Sequence, residues 1–244
     1  SKDIVINEKL KKLYKHYCPG PITFILKKKQ GSKINPLASA KLKTVGIRFP
    51  KHKVIRSVLK KINFPLAMPS ANKSTNLSPV SAQDVFDEFK QSIQLIINGG
   101  KCSVGIESTV IDLTNHPNIL RPGIISKRSI EKILKKKIKK NINKKKIRSP
   151  GMMKKHYSPG IPVLINQKKH DGKSAFIYLG KKYESKKNFF SLSKNLDLNE
   201  AASNLYKLLR FIKKKGYKKI QINKIPNIGS GIAINDRIQR ASKS

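Results

Sequence analysis

Acidic residues are scarce in this chain: 13 Asp and Glu stand against 54 Lys and Arg in 244 residues, a formal net charge of +41. Cysteine is scarcer still, at Cys18 and Cys102 alone. Two cysteines outside any Cys-x-x-Cys pair exclude a disulfide framework, and both read as reduced thiols. The five histidines (His16, His52, His116, His156 and His170) stand at no helix-face or finger interval, so spacing encodes no metal site. No apolar run approaches a membrane span. The opening Ser1-Lys2-Asp3-Ile4-Val5 lacks the basic, apolar and small-residue order of a signal peptide, so the expected location is cytoplasmic, with no membrane partner. What remains is a globular chain whose 38% hydrophobic content suffices for one large domain or two ordinary ones.

Such a charge fits a nucleic-acid partner, because Lys and Arg that neutralise phosphates bind by counterion release without any sequence motif. The excess, however, is mostly Lys spread along the chain among many Ile and Asn, and no aromatics interleave it. It reads as the compositional habit of a lysine-favouring proteome. The expected consequence is weak, non-specific and salt-dependent attraction for tRNA or other double-stranded RNA.

The stretch from Pro65 to Pro79 organises the chain. Pro65, Pro69 and Pro79 deny it a long helix or central strand, while Ser70, Ser74, Thr75 and Ser78 supply hydroxyls and Asn72 tolerates left-handed backbone. Ser81 and Asp84 then have the spacing of a helix N-cap, which places N–H groups favouring an anion at the loop's end. Two readings stand: a shaped loop for a polar ligand, or a surface turn with a helix cap.

Before that loop, a helix over Lys9 to Tyr17 stops at Pro19-Gly20-Pro21, and strands are predicted at Thr23-Leu26 and Thr44-Pro50. The second delivers Arg48, suited to a carboxylate or a phosphate, or else simply a solvated charge at a strand end. A helix from Lys51 to Ile62 gathers Val54, Ile55, Val58, Leu59 and Ile62 on one face as a cover. After the loop come a helix over Ala82 to Phe89, a short buried strand at Gln94-Ile97, a strand from Val104 to Leu113 bearing Ser108, and a strand end at Ile119-Arg121. Ser126 caps a helix to about Leu134. Lys135 to Arg148 reads as a basic linker, with an amphipathic basic helix or an RNA-binding arm as the other readings, and Ser149-Pro150-Gly151-Met152 through Tyr157 breaks its pattern. Tyr157 reads either as filling an apolar notch or as stacking on a base. Strands at Pro162-Ile165, Ser174-Tyr178 and Lys219-Ile222 then alternate with helices at Asp197-Lys215 and Ile232-Ala241, as in a small, largely parallel α/β domain. Asp197 and Glu200 have capping-box spacing, and Gly216 sits at a C-cap position.

Taken together, Tyr17-Cys18-Pro19-Gly20-Pro21-Ile22-Thr23, Val45-Gly46-Ile47-Arg48-Phe49-Pro50, Met68-Pro69-Ser70-Ala71-Asn72-Lys73-Ser74 with Ser78-Pro79, Gly105-Ile106-Glu107-Ser108-Thr109-Val110 and Leu120-Arg121-Pro122-Gly123 resemble the threonylcarbamoyl-AMP synthases. Ser149-Pro150-Gly151-Met152 with His156-Tyr157, and Ala233-Ile234-Asn235-Asp236-Arg237, match the two-domain form. The resemblance implies a YrdC-like twisted mixed sheet with helices over 1–135, a basic linker and lid over 136–160, and a smaller Rossmann-like α/β domain over 161–244.

It further implies an enzyme, a nucleotidyltransferase that condenses L-threonine, bicarbonate and ATP into threonylcarbamoyl-AMP and pyrophosphate for tRNA modification. ATP would arrive as a substrate with Mg, and the product would pass to a tRNA threonylcarbamoyltransferase. Arg48, Met68 and Ser108 would bind threonine; Thr44, Ser70, Ser78, Arg121 and Tyr157 would bind ATP. No side chain would act beyond positioning substrates, with Arg48, Ser70, Ser108 and Arg121 converging on one cleft and Ser149 to Tyr157 closing as a lid. The family's initial threonine-binding Thr and its Lys-x-Arg pair have no counterpart before Tyr14. A preceding segment is therefore expected to be missing, and without it the chain is expected to be inactive or poorly folded. Cys18 stands where the family usually has Trp, and Met68 where a smaller residue is usual. The other readings are a non-enzymatic basic RNA-binding protein and a carbamoyl-transfer relative, which would carry zinc-finger cysteines.

Overall fold

The structure is a computed structural model that describes residues 2–138 and 156–243. In chain order its elements are α1 (Glu8–Tyr17), β1 (Ile22–Lys27), β2 (Thr44–Arg48), α2 (Lys53–Lys61), α3 (Ala82–Phe89), β3 (Thr109–Asp112), β4 (Asn118–Arg121), α4 (Lys127–Leu134), β5 (Val163–Leu164), β6 (Ala175–Tyr178), β7 (Phe189–Ser191), α5 (Leu198–Lys214), β8 (Ile220–Ile222) and α6 (Gly231–Ala241). They fall into two compact units. The first comprises the chain up to Met68 and again from Glu107 to Ile138; the second comprises Pro69–Ile106 and the chain from His156 onward. The two units therefore interleave stretches that the sequence places in chain order.

The first unit is a mixed four-stranded sheet of order β2-β1-β3-β4. Strand β1 pairs antiparallel with β2 and parallel with β3, and β4 runs antiparallel to β3. Alternation along β1 decides the two faces. Ile22, Phe24 and Leu26 point to a core shared with Leu10 and Leu13 of α1 and Ile130 of α4. Helix α1 starts where Asn7 Oδ1 accepts from the Leu10 amide at 2.9 Å, and α4 where Ser126 Oγ accepts from the Ser129 amide at 3.1 Å. Leu13 and Ile130 are wholly buried, each worth about 1.5–3 kcal/mol by transfer from water. The opposite face carries Thr23 and Ile25 instead.

The second unit is an all-parallel sheet of order β5-β8-β6-β7. Ala201, Ala202, Leu205, Leu209 and Ile212 form the buried stripe of α5, against which α6 places Ala233, Ile234 and Ile238. Gly216 follows the helix at φ +82°, a left-handed turn that costs glycine little. Leu77 and Ile106 are buried in the same core, so both ends of the 77–106 stretch are anchored there. A mixed α/β sheet followed by a parallel α/β unit is the expected fold class.

Several local expectations are corrected. Gln94–Ile97 forms no strand: Leu95 is 74% and Ile97 59% exposed, and no described strand pairs with the run. Only Thr109–Asp112 of the 104–113 stretch enters the sheet, because Gly105 turns the chain at φ +72°. Helix α2 buries none of its residues, so its apolar stripe is not the cover expected. At the start of α5, Asp197 caps by accepting from the Asn199 amide at 2.7 Å, but the reciprocal half of the box is absent. Glu200 Oε2 instead accepts from the Ser193 hydroxyl at 2.6 Å, and Ser193 Oγ takes the Asp197 amide at 3.0 Å. Strand β7 was not expected at all.

Candidate functional site

Backbone register sets the site of the first unit. Arg48 on β2 lies opposite Thr23 on β1, Thr23 opposite Val110 on β3, and Val110 opposite Arg121 on β4. Directly paired residues share a face, so one row crosses the sheet from guanidinium to guanidinium with a hydroxyl and an isopropyl group between them. Three interstrand steps of about 4.8 Å put the two arginine Cα atoms about 14 Å apart. A register shift between Val110 and Ile111 is what leaves Arg121 opposite Val110.

Ser108, just before β3, closes this row. Its hydroxyl lies 2.7 Å from the Thr23 hydroxyl. Arg121 donates from Nε and Nη2 to the Ser108 carbonyl at 3.2 and 3.1 Å, and from Nη2 to the Ser108 hydroxyl at 3.2 Å. Ser108 is only 4% exposed, whereas Arg48 stays open to solvent and donates from Nε to the Gly20 carbonyl at 3.4 Å. Partial loss of water, and then the charge of Arg121, hold the Arg48 guanidinium below its ordinary pKa. Two cations within electrostatic reach and no carboxylate in the row make a place for an anion. Beside it, Ile25, Val110 and Leu120 form a small apolar cluster.

Close backbone packing holds Ser108 in position. Thr109 donates its amide to the Pro21 carbonyl at 3.0 Å and its hydroxyl to the Ile125 carbonyl at 2.8 Å. A Cβ on Gly123 would lie 2.4 Å from the Thr109 nitrogen, so this turn approaches the strand as only glycine permits. On β2, Thr44 and Arg48 share the site's face with Gly46 between them. A Cβ at Gly46 would meet Ile25 Cδ1 at 3.3 Å and Thr23 Cγ2 at 3.5 Å.

Of the residues expected from sequence, Thr44, Arg48, Met68, Ser108 and Arg121 thus belong to the first unit, where Met68 is 66% exposed. Ser70, Ser78 and Tyr157 belong to the second. Ser70 is exposed and Ser78 buried. Tyr157 is wholly buried, stacked on Tyr206 with ring centroids 5.7 Å apart, and the Arg237 guanidinium carbon sits 5.3 Å from its ring centroid. The expected lid segment before it, Ser149 to Lys155, lies outside the described residues. Thr23 was missed as a site residue, although a polar residue inside the apolar run Ile22–Leu26 is a readable signal.

At the N-terminus of α3, expected to favour an anion, the Ser81 hydroxyl accepts from the Asp84 amide at 3.2 Å, while carboxylates of the helix hold the backbone that precedes it. Asp84 Oδ2 accepts from the Val80 amide at 3.0 Å, and Glu88 Oε1 accepts from the Lys73 amide and from Asn76 Nδ2, both at 2.8 Å. Among the described residues no group of three or more His, Cys, Asp or Glu could hold a metal ion, and no helix is long and apolar enough to cross a membrane.

Two family descriptions match the chain in tandem: "Telomere recombination" over residues 2–123, and "Threonylcarbamoyl-AMP synthase, C-terminal domain" over residues 125–243. A threonylcarbamoyl-AMP synthase of Pyrococcus abyssi is 33% identical over 97% of this chain and 74% of its own length. One of Bacillus subtilis is 38% identical over 52% of this chain and 37% of its own. Among solved structures, that of Pyrococcus abyssi Sua5 complexed with L-threonine superposes with a TM-score of 0.87 at 30% identity, covering 98% of this chain and 75% of that one.

Proposed function

The chain belongs to the threonylcarbamoyl-AMP synthase family, and from that premise we propose that it condenses L-threonine, bicarbonate and ATP into threonylcarbamoyl-AMP with release of pyrophosphate. One observation carries the reading: the row Arg48–Thr23–Val110–Arg121, joined by Ser108, offers cations, hydroxyls and an apolar surface at the scale of an amino acid. L-threonine has the matching parts, a carboxylate, a hydroxyl and a methyl group, and it is the ligand of the Pyrococcus abyssi relative. Arg48 takes the carboxylate, Ser108 and Met68 complete the threonine contacts, and Arg121 and Thr44 turn to the nucleotide.

The chemistry asks little of side-chain acids or bases. Threonine's amine captures bicarbonate carbon as a carbamate with loss of water, and the carbamate oxygen then attacks the α-phosphorus as pyrophosphate leaves. Charge that develops on these oxygens is best met by fixed cations and N–H donors, so positioning and electrostatics supply the rate. Magnesium accompanies ATP on its phosphates. Ser70, Ser78 and Tyr157 are assigned to the nucleotide on their motif positions, and Tyr157 reaches an adenine only by leaving its stack on Tyr206. The product is handed to a tRNA threonylcarbamoyltransferase in the cytoplasm, and any RNA held by the lysines is held weakly.

The test is pyrophosphate release by the purified full-length protein with each substrate omitted in turn, together with transfer of label from bicarbonate into an adenylate. All three substrates should be required, and Arg48→Ala should raise the KM for threonine far more than that for ATP. Pyrophosphate release indifferent to threonine or bicarbonate would overturn the reading.

A further inference from the structure

Helix α3 concentrates what the chain otherwise lacks. Three of the 13 acidic residues, Asp84, Asp87 and Glu88, lie within its eight residues, and all three meet cations of α5. Lys214 pairs with Asp87 at 2.6 Å on the exposed side. Arg210, one turn earlier, is the enclosed member: its side chain is 16% exposed, against 12% for Asp84 and 9% for Glu88. Its Nη2 donates to Glu88 Oε2 at 3.4 Å and to the Leu77 carbonyl, while Nε lies 4.0 Å from Asp84 Oδ2.

The same two carboxylates hold the loop before α3. Glu88 uses its other oxygen for the Lys73 amide and the Asn76 side chain, and Asp84 uses Oδ2 for the Val80 amide. Asn72 adds bonds from Nδ2 to the carbonyls of Lys73 and Asn76 at 2.8 and 3.2 Å. One guanidinium thus neutralises both acids and grips the loop backbone directly. Behind it, α5 lies against Gly105, where a Cβ would come within 2.4 Å of the Ser203 backbone.

We propose that Arg210 is a positioning residue for the nucleotide: through Asp84, Glu88 and the Leu77 carbonyl, α5 fixes the shape of the 69–80 loop that presents Ser70 and Ser78. The proposal rests on the assignment of that loop to ATP. It gives the region after the linker a part in the reaction without any contact to substrate. An unpaired Asp84 and Glu88, one helical turn apart and nearly enclosed, would repel each other and release the amides they now accept. Lysine at 210 would keep the charge but not the planar head that sets Nη2 between the Glu88 carboxylate and the Leu77 carbonyl with Nε towards Asp84.

The experiment compares the parent protein with Arg210→Met, Arg210→Lys and Glu88→Gln by hydrogen exchange and by titration with ATP. Arg210→Met should speed exchange of the Lys73 and Val80 amides and raise the KM for ATP about tenfold, leaving the KM for threonine within about twofold, with Arg210→Lys intermediate. Glu88→Gln, which keeps an acceptor for Lys73, should fall nearer the parent in exchange than Arg210→Met does. Unchanged exchange in Arg210→Met overturns the clasp, and faster exchange with an unaltered KM for ATP overturns the positioning role. Equal rises in both KM values also overturn it, since a general loss of structure acts on both. A parent that binds no ATP overturns the assigned function instead, while exchange still decides the clasp.

Discussion

Arg121 reaches across from β4 and places three hydrogen bonds on Ser108, two on its carbonyl and one on its hydroxyl, at 3.1 to 3.2 Å. The carbonyl bonds come from Nε and Nη2 in one plane, which only the guanidinium fork supplies. Arg121 therefore shapes Ser108 as well as offering charge. Arg121→Lys keeps the charge and loses the fork. Bonds from charged donors contribute about 1.5–3 kcal/mol, so the thermal midpoint should fall by several degrees and kcat/KM about tenfold to a hundredfold. Steady-state pyrophosphate assays check this, and a variant as active as the parent would reduce Arg121 to a generic cation.

Thr23 and Ser108 share a hydroxyl contact of 2.7 Å on the site's face. Thr23→Val replaces the hydroxyl with a methyl group of nearly the same volume and keeps a β-branched residue in β1, so the strand should persist. The KM for threonine should rise about tenfold, corresponding to about 1.4 kcal/mol, with the KM for ATP nearly unchanged. A shift confined to ATP would move Thr23 from the amino-acid end of the row to the nucleotide end.

How far the sequence discloses this arrangement depends on the range of the forces involved. Helix α5 was readable because its cap, its apolar stripe and its terminal Gly216 are local signals that agree. Arg48, Ser108 and Arg121 are legible as candidates from their places on predicted strands and from the resemblance, but their shared row depends on strand register and a β-irregularity that no local pattern encodes. Gln94–Ile97 has strand-like composition, yet a strand exists only by pairing. The Glu200 box failed because a more distant hydroxyl, Ser193, competed for both of its groups. Arg210 carried no local signal at all: its partners lie more than 120 residues away.

Glycine at 123 is required by space alone. A methyl group there would press on the Thr109 nitrogen at 2.4 Å and its hydroxyl oxygen at 2.7 Å, both of which already hold hydrogen bonds. Gly123→Ala must therefore push the turn off β3, at a cost of about 1–3 kcal/mol, and lower the thermal midpoint by several degrees. Activity should fall further than stability explains, since Ser108 precedes the displaced residue. By contrast, Gly31→Ala, in a turn where a Cβ meets nothing within 4 Å, carries only the strain of its φ of +72° and should leave activity alone.

Burial pushes the Cys18 thiol up to about 11. A raised pKa lowers the thiolate fraction, so at pH 8 only about a thousandth of Cys18 is ionised. Relative to a free cysteine that is a loss of about two orders of magnitude, offset by about one order through the greater nucleophilicity of a more basic thiolate. Alkylation by iodoacetamide should accordingly be about tenfold slower than that of free cysteine, and should quicken as pH rises towards 11. Cys102 is raised too, by burial first and then by the charge of Asp84. Mass spectra showing rapid labelling of Cys18 at pH 8 would contradict its enclosure.

Asp171 ties together the starts of β6 and β8. Its carboxylate accepts from Lys219 Nζ at 2.6 Å, from the Ser174 hydroxyl at 2.7 Å, and from the Ser174 and Lys173 amides at 2.8 and 3.1 Å. The Lys219 bond first, then those from Ser174, hold this carboxyl far below the usual carboxylate range. Because the folded value lies below the unfolded one, the unfolded chain binds the proton more readily in between, and stability rises with pH across that window. The contribution is complete above the ordinary Asp value of about 4 and disappears as pH falls through the folded value. Asp171→Asn should therefore unfold at lower urea than the parent at pH 7, and the two proteins should converge as the solution is taken well below pH 4. Since Lys219 and Asp171 are both partly open to water, added salt should narrow the gap at pH 7 as well. Parallel curves from pH 7 down to pH 2 would mean that the carboxylate's hydrogen bonds survive protonation, and that its charge contributes nothing to holding the two strands.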